Sequence, residues 1–262
     1  VRLAESLAST RDITAARAAA DRAVELAPNN PAAVHMRALV AVLEGKPEAA
    51  LELARASQKR SPTDAAGFSL EGELAARAGR WPEASKAYAE ALKRSESSDV
   101  AINRHISLFR SGQVAEAERF AGDWMRSHAK DAQFLFYLGD AATARQDWAR
   151  AEMHYKAVLA VRPKNAAAMN NVAWLLARQG KPGAVVMANQ AVALLPDRSG
   201  FLDTLSIALE AERQPERALE VQKRAVELDD KEPMLRWRLA KLLAAQGDKG
   251  EARKQSDGQG VQ

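Results

Sequence analysis

Residues 166–198 read AAAMNNVAWLLARQGKPGAVVMANQAVALLPDR. Met169, Val172, Ala173 and Leu176 recur at three- and four-residue spacing, which lays them along one helical face. Gly180-Lys181 then interrupts the pattern. Glycine supplies the left-handed backbone that ends a helix, and Pro182 suits the first turn of another. A second apolar run closes at Leu195-Pro196. The stretch therefore reads as two helices, Ala166–Gln179 and Pro182–Leu195, joined by a tight turn. Neither helix can bury its apolar face alone, so the unit needs neighbours.

The neighbours are visible in both directions. A phase mark at the end of each second helix falls at Pro28, Pro62, Glu96, Ala129, Pro163, Pro196 and Asp230, at intervals of 34, 34, 33, 34, 33 and 34. The turn residue recurs independently as Gly45, Gly79, Gly112, Gln146, Gly180, Arg213 and Gly247. Two punctuation series with one period define a tandem array. The fold expected is all-α, a superhelical solenoid of antiparallel helix pairs with a concave face. Small residues sit where paired helices must approach closely: Ala38, Gly72, Gly139, Ala173, Ser206 and Ala240 in first helices. Ala50, Ala84, Ala117, Ala151, Ala184 and Ala218 do the same in second helices. The repeat at 99–131 departs from this, with Ile106 at the small-residue position and Trp124 where alanine is usual.

The repeats fall at about 1–30, 31–64, 65–98, 99–131, 132–165, 166–198 and 199–232, then a terminal helix 233–246 and a short helical end to 254. Residues 255–262, polar and glycine-rich, read as a disordered tail. No linker interrupts 1–254, which reads as one domain. The start at Val1, already inside a repeat, leads us to expect further repeats upstream.

Composition agrees with this architecture and narrows function. Hydrophobic residues make up 47% and aromatics only 5%, a helix-former's mix dominated by alanine and leucine. The net charge of +4 comes without a lysine or arginine block, which argues against a nucleic-acid partner. The absence of cysteine excludes disulfides, thiolate catalysis and thiolate metal sites. No stretch approaches the roughly 18 apolar residues of a membrane span. His35, His105, His128 and His154 are never three or four residues apart, so no helix face offers a two-histidine metal site. No phosphate loop, nucleophile elbow or catalytic constellation is found, and neither an enzymatic role nor a cofactor is expected.

The 34-residue period with a small residue near position 8, Ala near 20 and 27 and Pro near 32 resembles the tetratricopeptide repeat. Residues 132–165 match it most fully, through Leu135, Leu138-Gly139, Trp148, Ala151, Tyr155, Ala157 and Pro163. The resemblance implies a right-handed superhelix and a protein-interaction scaffold that holds a peptide or partner protein in a groove lined by first helices. Carried over position by position, the groove comprises Asn103, Arg104, Phe136, Tyr137, Asp140, Asn170, Asn171, Trp174, Arg178, Asp203, Thr204, Trp237, Arg238 and Lys241. His35, Met36 and Arg110 are its sparser extension in earlier repeats. Asn171 stands where peptide-binding members place an asparagine that clamps ligand backbone, whereas Trp81, Trp148, Tyr88 and Tyr155 read as packing residues.

A narrower resemblance lies in Asn170–Ala177 and in Phe201-Leu202-Asp203-Thr204-Leu205, which are similar to the last repeats of bacterial envelope lipoproteins associated with exosortase (PEP-CTERM) sorting. It implies a periplasmic or outer-membrane-associated protein of exopolysaccharide export or protein sorting. Two other readings stay open at this point: a module that engages polysaccharide itself, and a generic cytosolic adaptor.

Overall fold

The computed structural model describes residues 1–10 and 12–256; most of the expected tail, 257–262, lies outside them. Among the described residues all regular structure is helical. Contacts group the chain into two compact units, Val1–Lys130 and Asp131–Gln262. The first holds α1 (Arg2–Ser9), α2 (Ile13–Leu26), α3 (Pro31–Leu43), α4 (Pro47–Arg60), α5 (Ala66–Arg77), α6 (Trp81–Leu92), α7 (Ser98–Arg110) and α8 (Val114–Ser127). The second holds α9 (Ala132–Ala144), α10 (Trp148–Val161), α11 (Ala166–Arg178), α12 (Ala184–Leu194), α13 (Ser199–Ala211), α14 (Pro215–Leu228), α15 (Pro233–Ala245) and α16 (Lys249–Ser256). In each unit, consecutive helices pack on one another.

Local chemistry sets these boundaries. Asn30, Asp131 and Asn165 accept backbone N–H bonds from Ala33, Phe134 and Ala168, satisfying amides that open a helix. Proline occupies the first position of α3, α4, α14 and α15, where its missing N–H costs nothing. At the turns inside each pair, Gly45, Gly79, Gly112, Gly180 and Gly247 have positive φ. Gln146 and Arg213 hold the same conformation at φ 59° and 58° without being glycine.

The small-residue positions explain how tightly the pairs close. A Cβ on Gly139 would lie 2.6 Å from the ring of Tyr155, and one on Gly72 would lie 2.7 Å from that of Tyr88. The glycine of one helix thus makes room for the tyrosine of its mate. In α13 and α14 the corresponding residues are Ser206 and Gln222, both fully buried. Ser206 donates its hydroxyl to the carbonyl of Ala218. Elsewhere the core is aliphatic, as in Val34, Ala38, Leu51, Ala54, Leu70 and Leu74 of the first unit.

Three expectations need correction. First, the small-residue position of α7 is occupied by His105, only 2% exposed, not by Ile106, which is half-buried. The 33-residue interval between Gly79 and Gly112 shifts α7 by one residue against the preceding repeats. Second, α12 begins at Ala184 rather than Pro182, because Gly183 adopts a left-handed φ of 91°. Glycine has no side chain to cap the helix, and Glu212 of the following turn accepts from the N–H of Val185 instead. Third, the boundary expected at 254 falls inside α16, where Gln255 is 8% exposed. The contacts divide at Lys130–Asp131, at the end of the irregular repeat.

The Gly139–Tyr155 crossing yields a stability prediction. Alanine in place of helical glycine favours the helix by about 1 kcal/mol, but a Cβ forced against a buried ring costs about 1–3 kcal/mol. Gly139→Ala should therefore lose about 1 kcal/mol net in urea unfolding. Gly200→Ala, with nothing within 4 Å of the added carbon, should gain about 0.5–1 kcal/mol.

Candidate binding surface

The second unit gathers most of the expected groove residues on the first helices α9, α11, α13 and α15. The structure separates them into three sets.

Asp140, Asn170, Asn171, Trp174 and Thr204 line one concavity of about 430 Å³. Thr143, Ala144, Tyr155 and Leu175 complete its wall. Tyr155, expected only to pack, contributes twice. Its ring fills the space left by Gly139 and meets Phe136 edge-on at 5.4 Å, while its hydroxyl donates to Asp140 Oδ1 at 2.5 Å. Burial pushes this phenol up to about 12, the bond to Asp140 adds to the rise, and the Asn171 amide opposes it. It remains a proton donor over the whole physiological range. Asn170 donates to Asn171 Oδ1 at 3.4 Å, and its own Oδ1 is buried without a hydrogen-bond partner. An orphaned buried carbonyl of this kind is uncommon.

Beside this concavity, the Trp174 ring meets Trp148 of α10 edge-on at 5.7 Å. The Arg178 guanidinium lies 4.9 Å and 5.4 Å from the Trp148 and Trp174 ring centres, a cation–π arrangement. Tyr137 packs against Phe134 at 5.8 Å.

The third set is engaged within the protein. Arg238 donates to Asp203 Oδ1 at 2.7 Å, and the buried Gln222 amide donates to the same oxygen at 2.9 Å. Lys241 reaches Glu210 at 3.0 Å. These contacts tie α15 to α13, so Asp203 and Arg238 act first as a clasp between successive helix pairs. Trp237 remains 53% exposed, with Met234 at 56% one turn before it.

In the first unit, Asn103 is exposed on α7, and Arg104 turns to α8, its guanidinium 4.3 Å from the Phe120 ring centre. Arg104 is thus a packing residue, a consequence of the one-residue shift that also buries His105. Arg110 lies 6.0 Å from the Trp81 ring. His35 belongs to a second, smaller concavity of about 330 Å³, lined also by Glu5, Ser57 and Glu73. Its Nε2 is 2.8 Å from Glu73 Oε2.

Among the described residues no group of three or more His, Asp or Glu is placed to hold a metal ion, and no helix is long and apolar enough to cross a membrane.

A family model described as tetratricopeptide repeat matches residues 1–65, 138–184 and 204–256, more than half of the chain. The chain belongs to the tetratricopeptide repeat family. The unmatched stretch 66–137 contains the irregular repeat with His105 and Trp124. No curated protein sequence matches significantly.

Among solved structures, yeast Tom70 aligns over 93% of this chain and 52% of its own, at 16% identity and a TM-score of 0.63. The C-terminal part of a tetratricopeptide protein from Cytophaga hutchinsonii aligns over 89% and 97%, at 18% identity and 0.60. MamA from Desulfovibrio magneticus RS-1 aligns over 62% and 92%, at 23% identity and 0.54. At these identities the likeness is one of fold. Tetratricopeptide scaffolds bind protein or peptide partners and are generally non-catalytic.

Two measurements check these assignments. If Asp203 is a structural clasp, Asp203→Ala should destabilise the protein by about 2 kcal/mol, because it leaves the largely buried Arg238 without its carboxylate and the buried Gln222 amide with only the Leu235 carbonyl. Trp237→Ala should change stability by less than about 0.5 kcal/mol. The His35–Glu73 pair predicts a pH optimum. The bond to Glu73 raises the imidazole above its ordinary 6.5, and the same bond lowers Glu73 below 4.5. A raised histidine stabilises fully below 6.5 and loses that contribution as pH climbs through its folded value. A lowered carboxylate stabilises above 4.5 and loses it as pH falls through its own. The stability difference between wild type and Glu73→Gln should peak between these limits. The NMR titration midpoint of His35 should fall in the variant.

Proposed function

We propose that this tetratricopeptide protein is a non-catalytic interaction scaffold whose second unit holds an extended segment of a partner protein along α9, α11 and α13. The observation that carries this reading is the concavity at Asp140, Asn170, Asn171 and Trp174. It combines an aromatic surface, hydrogen-bonding side chains on one helical face, and a buried Asn170 oxygen that lacks a partner. Aromatic anchors next to unsatisfied polar groups are the usual composition of an interface hot spot. The engaged clasp of Asp203 and Arg238 narrows the surface from the one read in sequence: its centre is α9–α11, with Trp237 and Lys241 as an exposed flank. Asn103 lies on the first unit and is not needed by this reading.

The envelope setting, in exopolysaccharide export or protein sorting, rests on the sequence resemblance at Asn170–Ala177 and Phe201–Leu205. A polysaccharide ligand has the same basis and is the less favoured occupant.

The test begins with peptides selected from a random library against the wild-type protein. Asn171→Ala combined with Trp174→Ala should weaken their binding about tenfold or more, the scale of two hot-spot truncations. The helical circular-dichroism signal should be retained. Full affinity in the double variant would remove this surface as the binding site.

A further inference from the structure

The proton directions around the α9–α11 concavity specify its occupant more closely than its shape does. Tyr155 donates its hydroxyl proton to Asp140. Thr143 donates to the carbonyl of Gly139 at 2.9 Å, and Thr204 donates to that of Gly200 at 3.1 Å. Each of these hydroxyls has an acceptor for its own proton and keeps a lone pair for a further donor. Thr143 Oγ1 and Tyr155 Oη also lie within hydrogen-bond distance of each other, at 3.4 Å. The orphaned Asn170 Oδ1 adds another acceptor, and the exposed Asp140 carboxylate adds a full negative charge.

The lining thus sets several acceptor oxygens around one carboxylate, the only charged group in it, with the rings of Tyr155 and Trp174 beside them. Arg178 is not part of the lining; its guanidinium lies over the Trp148 and Trp174 rings. We infer that this concavity receives a basic side chain of the partner segment, arginine in preference to lysine. A guanidinium brings five N–H donors in a plane, enough for the spread of acceptors, and stacks on aromatic rings. An ammonium brings three donors around a point. A carboxylate or an aliphatic side chain would leave the acceptors desolvated and unpaired, which is the larger penalty. This inference rests on the groove reading above and adds the chemistry of one partner residue.

The test uses three capped tripeptides, acetyl-Ala-X-Ala-amide, with X as arginine, citrulline or glutamate. Citrulline keeps the size and shape of arginine and removes the charge. Binding is read at millimolar concentration from the NMR signals of the Trp174 indole and the Asn170 and Asn171 side-chain amides. The arginine peptide should shift these signals and bind about tenfold more tightly than the citrulline peptide, with the glutamate peptide weakest. Asp140→Asn, which still accepts from Tyr155, should bring arginine down to the citrulline level. Equal binding of citrulline or glutamate, or an unaltered arginine affinity in Asp140→Asn, would overturn the basic preference and leave the groove standing. No shift of these signals with any of the three would overturn both.

Discussion

Closing two helices to near contact is the constraint on which each repeat depends. Where Gly139 faces Tyr155, the absent side chain of one helix is the volume of the other, to within the thickness of a methyl group. The same exchange appears at Gly72 and Tyr88. Interiors are packed at crystal-like density, so such positions admit little variation in volume. His105 marks the exception. A buried imidazole stands in the irregular repeat, at whose end the contacts of the chain divide.

This packing also builds the binding surface. The Tyr155 ring is held by Gly139 and Phe136, so its hydroxyl is delivered to Asp140 without freedom to turn away. Packing between paired helices thereby orients polar groups on the exposed face. Charge is distributed unevenly along that face. Between α13 and α15, Asp203 with Arg238 and Glu210 with Lys241 neutralise one another across the helix pairs. Between α9 and α11, uncharged hydrogen-bonding side chains gather around Asp140 and Asn170.

The architecture was legible because it is written in local signals. A residue able to take positive φ at each turn, a cap or proline at each start and the threes-and-fours of apolar residues recur with fixed period, and each acts within a few residues of itself. The site was legible only in part. Asn170, Asn171, Trp174 and Asp140 could be located from their place on a first helix. Whether a polar residue there is free depends on groups far away in sequence: Arg238 meets Asp203 across 35 positions, and Gln222 across 19. Tyr155 belongs to a second helix and was hidden by its packing role. Arg104 was misplaced by a single residue, because one 33-residue interval rotates α7 by the angle of one helical step.

The turn before α12 makes one repeat incomplete without the next. Gly183 offers no side chain to its own helix, and the carboxylate that meets the Val185 amide comes from Glu212, 27 residues later and past the end of α13. Stability in a stacked array is shared between units and their interfaces, and here one unit's helix start is itself part of the interface. Residues 166–198 are therefore not a self-sufficient module. Cut free after Arg198, or transplanted into another array without an acidic residue at that reach, α12 would begin with an open amide and a glycine of unfavourable chain entropy. The array's order of repeats is built into its backbone chemistry as well as its apolar faces.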